Sequence, residues 1–164
     1  MRAILLALTA ATALIACTTS TGNIGDGTRV YRISSSQTSR IQYRMLDSVN
    51  ELRAAAGAVP LQLNSQLNAA AKTHAQDMAV QNRPWHFGSD GSSPLDRANR
   101  VGYPGLYLGE TISETFESEL TTLSAWMANP DTRRIIMDPR ARNLGFSWHQ
   151  EANGKIWWVL ETGA

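Results

Sequence analysis

The residues of this 164-residue chain best equipped for chemistry are its three histidines, and each sits in a different setting: His74 in LNAAAKTHAQDMA, His86 in PWHFGSDG and His149 in FSWHQEANG. An imidazole can ligate a metal, act as a general base or hold a hydrogen bond near neutral pH. His86, between aromatic residues and a glycine-containing run, is free to do any of these. His74 shares a helical stripe with Leu67, Ala71 and Met78, so it reads as a core imidazole held by a backbone carbonyl, without the second histidine at i+4 of a helical zinc motif. His149 alternates with Phe146 and Trp148 near the end of a strand pattern and is expected to face solvent. The acids Glu110, Glu114, Glu117 and Glu119 are close enough in sequence to suggest a cation cluster. Acids are ordinary in the first turn of a helix, however, and the last three read as a solvated face. Arg133, Arg134, Arg140 and Arg142 are similarly accounted for by pairing with Asp131 and Asp138.

The single cysteine, Cys17, closes an apolar run from Ala3 to Ala16 that follows Arg2. That run is shorter than the ~20 residues a membrane span requires and has the form of a signal peptide, residues 1–16. Its end, LIAC, is similar to the bacterial lipobox, which implies cleavage before Cys17 and lipidation of the thiol. With Arg2 removed from the 15 basic residues, the remainder balance the 14 acidic ones. The anchor would therefore rest on its acyl chains, with little electrostatic help. A nearly neutral chain without a basic cluster argues against a nucleic-acid partner. One cysteine leaves no intramolecular disulfide. Thr18 rather than aspartate after Cys17 points to the outer membrane, with the domain facing the periplasm.

The elements that must position these residues lie further on. Residues 17–40 are rich in Ser, Thr and Gly and read as a lipidated cysteine followed by a flexible tether, with RVYRI as a marginal strand. Residues 41–164 form one domain. Ile41, Met45, Val49 and Leu52 define an amphipathic helix stopping near Gly57. A second helix spans Ser65 to Asn82, capped by Asn64 or Ser65. Ser93, Pro94 and Asp96 start a short third, ended by Gly102 and Pro104. A fourth is expected from Phe116 to Met127, packing Leu120, Leu123 and Trp126 or Met127, with a short turn of helix between Asp131 and Pro139. NLGFSWHQEANGKIWWVLE alternates on both sides of Asn153 and Gly154, the pattern of a hairpin, and GLYLGETIS supplies a further strand. Alternation sends Trp157 and Trp158 to opposite faces, so one of them is expected to line a surface groove. The class is α+β.

LNAAAKTHAQDMA, the histidine of WHFGSDG, DRANRVGY, GET, WMANP, DP and NLGFSW together resemble the CAP superfamily of cysteine-rich secretory, antigen five and pathogenesis-related proteins, over about Gln42 to Gly163. The resemblance implies a three-layer α-β-α sandwich with a small, mainly antiparallel sheet. It also implies a central cleft with two histidines and two acids that binds zinc in several members. On this chain the first histidine falls on His86 and the first acid on Glu110. The second acid falls on Asn129, and the second histidine falls on Thr132. Amide and hydroxyl are poor zinc donors, so the expected cleft is His86, Glu110, Asn129 and Thr132 with no resident metal, His86 and Glu110 being at most a weak divalent-cation pair.

A carboxylate beside an imidazole fixes its orientation and favours its protonated form, so His86 and Glu110 could tie a loop to the sheet. They could also serve as base and orienter for a nucleophile, with Ser89, Ser92, Ser113 and Thr132 as candidates. No G-x-S-x-G elbow singles out one hydroxyl. The expected function is that of a lipid-anchored, monomeric bacterial envelope protein that binds a glycan, lipid or protein. A weak peptidase or esterase with His86 as general base and a lipid or sterol carrier are the alternatives.

Overall fold

In the computed structural model, which describes residues 22–23 and 29–164, the elements run β1 (Gly22–Asn23), β2 (Arg29–Val30), α1 (Thr38–Ala55), β3 (Gln62–Leu63), α2 (Ser65–Gln81), α3 (Pro94–Arg100), β4 (Tyr107–Thr115), α4 (Glu119–Ala128), α5 (Pro130–Ile136), β5 (Asn143–Gln150) and β6 (Ile156–Gly163). A 3-10 turn at Ser35–Gln37 leads into α1. Four strands form one sheet in the order β3-β5-β6-β4, antiparallel except for the two-residue parallel pairing of β3 with β5. The leader and Cys17 lie outside the described residues.

Both faces of the central strand β6 are covered, and every residue in it is buried. One face carries Ile156, Trp158 and Leu160, which join Phe146 and Leu144 of β5 in the main core under α1, α4 and α5. The other face carries Trp157 and Val159 beneath Ala71, Ala75 and Met78 of α2. The alternation of the two tryptophans holds, but neither lines a groove: both are fully buried because helices cover both faces. Trp158 stacks on Phe146, ring centroids 5.5 Å apart, and the Trp157 indole donates to Glu151 Oε1 at 2.6 Å.

Local chemistry fixes the helix ends. Asn64 Oδ1 accepts from the Leu67 amide at the start of α2, and Asn82 ends it in the left-handed conformation. Ser93 and Asp96 form a capping box around Pro94 at the start of α3. Gly145 lets α2 lie directly on β5, since a Cβ there would sit 2.4 Å from the Leu67 carbonyl carbon.

Three sequence expectations change. α4 begins at Glu119, not Phe116, because β4 continues to Thr115 and Ser118 caps the helix; Phe116 and Leu120 are then exposed. Glu119 is not on a solvated face: it is fully buried, paired with Arg44 and accepting from the Tyr31 hydroxyl at 2.9 Å. The stretch 29–40 is not a free tether. Val30 is buried against Gly154, the Arg32 guanidinium donates to the Glu151 and Ala152 carbonyls, and α1 already starts at Thr38.

Candidate functional site

Strand alternation on β4 and β6 places the site. Glu110 pairs across the ladder with Glu161, two residues along from the Ile112–Val159 pair, so both carboxylates belong to the α2 face of the sheet. Both are buried. From α2, His74 sits over them with its Nε2 3.7 Å from Glu110 Oε1. From α3, Arg97 donates through Nη2 to Glu110 Oε2 at 2.7 Å. Its Nη1 donates to the carbonyls of His86 and Ser92 at 3.0 and 3.1 Å. Arg97 therefore holds Glu110 and the His86 loop together. The His86 ring completes the group, with Nδ1 2.9 Å from Glu110 Oε1.

The structure brings His86 and Glu110 together as the resemblance implies. With Nδ1 facing the buried carboxylate, the half-exposed His86 ring (side chain 53 % exposed) keeps Nε2 as its other polar atom. That is the arrangement of an imidazole oriented by an acid, able to accept a hydrogen bond or a proton at Nε2. Asn129 and Thr132 are placed elsewhere. They belong to the α4–α5 corner, whose helices pack on the opposite face of the sheet. Asn129 Oδ1 accepts from the Asp131 amide, and the Thr132 hydroxyl donates to the Trp126 carbonyl at 2.5 Å. Neither makes a hydrogen bond to His86 or Glu110.

The hydroxyls considered as nucleophiles are similarly engaged or misplaced. Ser89 donates to Asp77 Oδ1 at 2.5 Å, and Ser92 is buried. Ser113 alternates with Glu110 and so falls on the opposite face. The donor set does not fit a zinc ion: both Glu110 oxygens are spent, one of them on a guanidinium whose charge would repel a cation. Among the described residues, no group of three or more His, Cys, Asp or Glu is placed to hold a metal.

Four members of the cluster were not legible as such. His74 belongs to it, and among the described residues neither of its ring nitrogens has a hydrogen-bond partner. Burial lowers its pKa, partly offset by the Glu110 charge. Glu161 has its pKa pushed well above the usual carboxylate range, by burial first and by the Glu110 charge second. Burial thus favours its protonated form. Tyr107, with its hydroxyl buried and without a partner among the described residues, is raised chiefly by burial. The signal for Glu161 was available: it alternates with Trp157 and Val159, so an acid follows two large apolar residues on one face. Arg97 lies within DRANRVGY, but nothing in that string shows that its guanidinium turns inward. His149 is half-buried beside Trp157 rather than solvent-facing.

The cysteine-rich secretory protein (CAP) family model matches residues 46–161, and the chain belongs to that family. The fold is shared with solved bacterial structures of low identity. An extracellular protein containing a SCP domain from Bacillus anthracis superposes with a TM-score of 0.71 at 16% identity, over 83% of this chain and 45% of that one. An outer surface protein from Borrelia burgdorferi gives 0.65 at 18%, over 82% and 97%. A cysteine-rich secretory protein from Staphylococcus aureus gives 0.62 at 15%, over 84% and 42%. The chain thus spans less than half the length of the first and third of these. No curated protein sequence matches it.

Proposed function

We propose that this is a lipid-anchored envelope protein, held through Cys17 at the outer membrane with its domain facing the periplasm, whose CAP domain binds an envelope component at the His86–Glu110 cleft without a cofactor. The observation that carries the reading is the Arg97–Glu110–His86 chain. It spends a buried ion pair on orienting one half-exposed imidazole, and among the described residues no hydroxyl nucleophile is hydrogen-bonded to that ring. Preorganised polar groups of this kind serve recognition as well as catalysis. The extracellular protein from Bacillus anthracis and the outer surface protein from Borrelia burgdorferi, which share the fold, support the envelope setting.

One feature favours a hydrolytic alternative: an acid-oriented imidazole can activate water as a general base. A panel of esters, peptides and peptidoglycan separates the two. The binding reading expects turnover no higher than that of a mock purification. Turnover lost in both His86→Ala and Glu110→Gln would make the protein an enzyme. A carrier reading has its own feature, a groove of about 330 Å³ between α1 and α4 lined by Leu52, Leu120, Leu123 and Met127, and it requires lipid to be retained through purification.

A further inference from the structure

The N-terminal segment enters the domain at one end of the sheet and is fixed there. β1 pairs with β2, with Gly22 opposite Val30, and Val30 is buried against Gly154 in the turn between β5 and β6. The Arg32 guanidinium donates to the Glu151 and Ala152 carbonyls of the same turn, and the Gln150 side chain accepts from the Ile33 amide at 3.0 Å. Gly22 follows Cys17 by five residues, a length of chain that reaches at most about 18 Å when fully extended. Whatever holds Cys17 therefore keeps the turn end of the domain close to it.

That end is also tied together across its layers. Lys155 Nζ, at the turn, donates to Asn82 Oδ1 at the end of α2 at 2.9 Å and lies 3.1 Å from Glu114 Oε1 of β4. Around this hub two large apolar side chains face solvent: Val80 in the last turn of α2, 83% exposed, and Phe116 just past β4, 51% exposed. The exposed Arg83 follows Asn82. Apolar groups with a cation among them suit the headgroup layer of a bilayer, where the first reach the acyl boundary and the second meets phosphate. Two side chains are too few to recruit the protein, since even one myristoyl chain binds only marginally. They suffice to orient a protein that is already anchored.

We propose that the turn end of the sheet is the membrane-contacting surface of this domain, with Val80 and Phe116 entering the headgroup layer of the bilayer that holds Cys17. This rests on the anchor reading above and adds to it the orientation of the domain. The orientation sets the height of the His86 cleft. His86 bonds to Glu110, which pairs across the ladder with Glu161, and Glu161 lies six residues past Lys155, about 20 Å along the strand. The cleft is thus presented above the membrane surface, away from the lipid.

The test places the protein, purified from cells, in lipid nanodiscs whose headgroups carry a gadolinium chelate, and reads paramagnetic relaxation by NMR at the methyl groups of Val80 and Leu106. Leu106 is the control: it is 59% exposed and exchanges backbone hydrogen bonds with Ala164 at the opposite end of the sheet. Relaxation at Val80 should exceed that at Leu106 by about tenfold or more, because the effect falls steeply with distance and the ends of β6 lie about 25 Å apart. Phe116→Asp, at an exposed position, puts a charge into the interface and should lower this ratio by about twofold or more while leaving the core resonances unchanged. Comparable relaxation at the two ends, stronger relaxation at Leu106, or a ratio unmoved by Phe116→Asp would overturn the proposal. Mass spectrometry of Cys17 in the same sample reports on the anchor separately. A free thiol there would refute the anchor reading, and coupling that thiol to a maleimide lipid in the discs keeps the orientation measurable.

Discussion

Glu110 and Arg97 meet at 2.7 Å at the centre of the site. With side chains only 1% and 4% exposed, the pair is a buried ion pair of the kind whose disruption leaves a desolvated charge behind. Arg97→Ala should therefore cost about 3–5 kcal/mol in chemical denaturation, and Arg97→Lys should recover only part of this, because an ammonium cannot serve Glu110, His86 and Ser92 together. The two neutralised groups nearby bring opposite pH dependences. Glu161, raised by burial, holds a proton in the native state that the unfolded chain releases above its ordinary carboxylate range. Its contribution is present at acid pH and is lost as pH rises through the raised value. His74, lowered by burial, costs stability as pH falls below its ordinary value of 6.5. Glu161→Gln keeps the uncharged form at every pH. Its stability relative to the wild type should grow as pH rises above the ordinary carboxylate range, in thermal melts; a constant difference would mean that Glu161 is ionised in the native protein.

At the scale of elements, the capped helices and the hairpin were legible because their signals are local. Asn64 and Ser93 cap α2 and α3 where their side chains specify, and the Asn153–Gly154 turn separates two alternating strands as expected. What was not legible depends on which faces are covered. Both β6 tryptophans are buried because that strand lies between two helical layers, a fact of sheet order that alternation alone cannot supply. Arg53 ends the apolar stripe of α1 and looks like a surface charge, yet it is fully buried and donates to the carbonyls of Val59, Ile136 and Asp138. The site divided in the same way. His86 and Glu110 were found through landmarks, whereas His74, Arg97 and Glu161 converge only when α2, α3 and β6 are docked. That docking relies on Gly145, where α2 meets β5. Gly145→Ala should destabilise the domain by about 1–3 kcal/mol through overpacking against the Leu67 backbone, measured as a lowered denaturation midpoint. An unchanged midpoint would show that the two elements separate freely.

For the whole molecule, the proposed anchor and the recognition cleft are separable. In the proposed reading, Cys17 governs where the protein is held, whereas His86 governs what its domain grips. The chain's near-neutral charge leaves little non-specific electrostatic attraction to confuse them. The most direct measurement is co-sedimentation of the Cys17→Ser protein with isolated cell envelopes, with and without His86→Ala. The Cys17→Ser protein should bind saturably, and adding His86→Ala should weaken binding by about tenfold or more. Cys17→Ser protein that stays in the supernatant, or a double variant that binds as tightly as the single one, would contradict recognition through the His86 cleft.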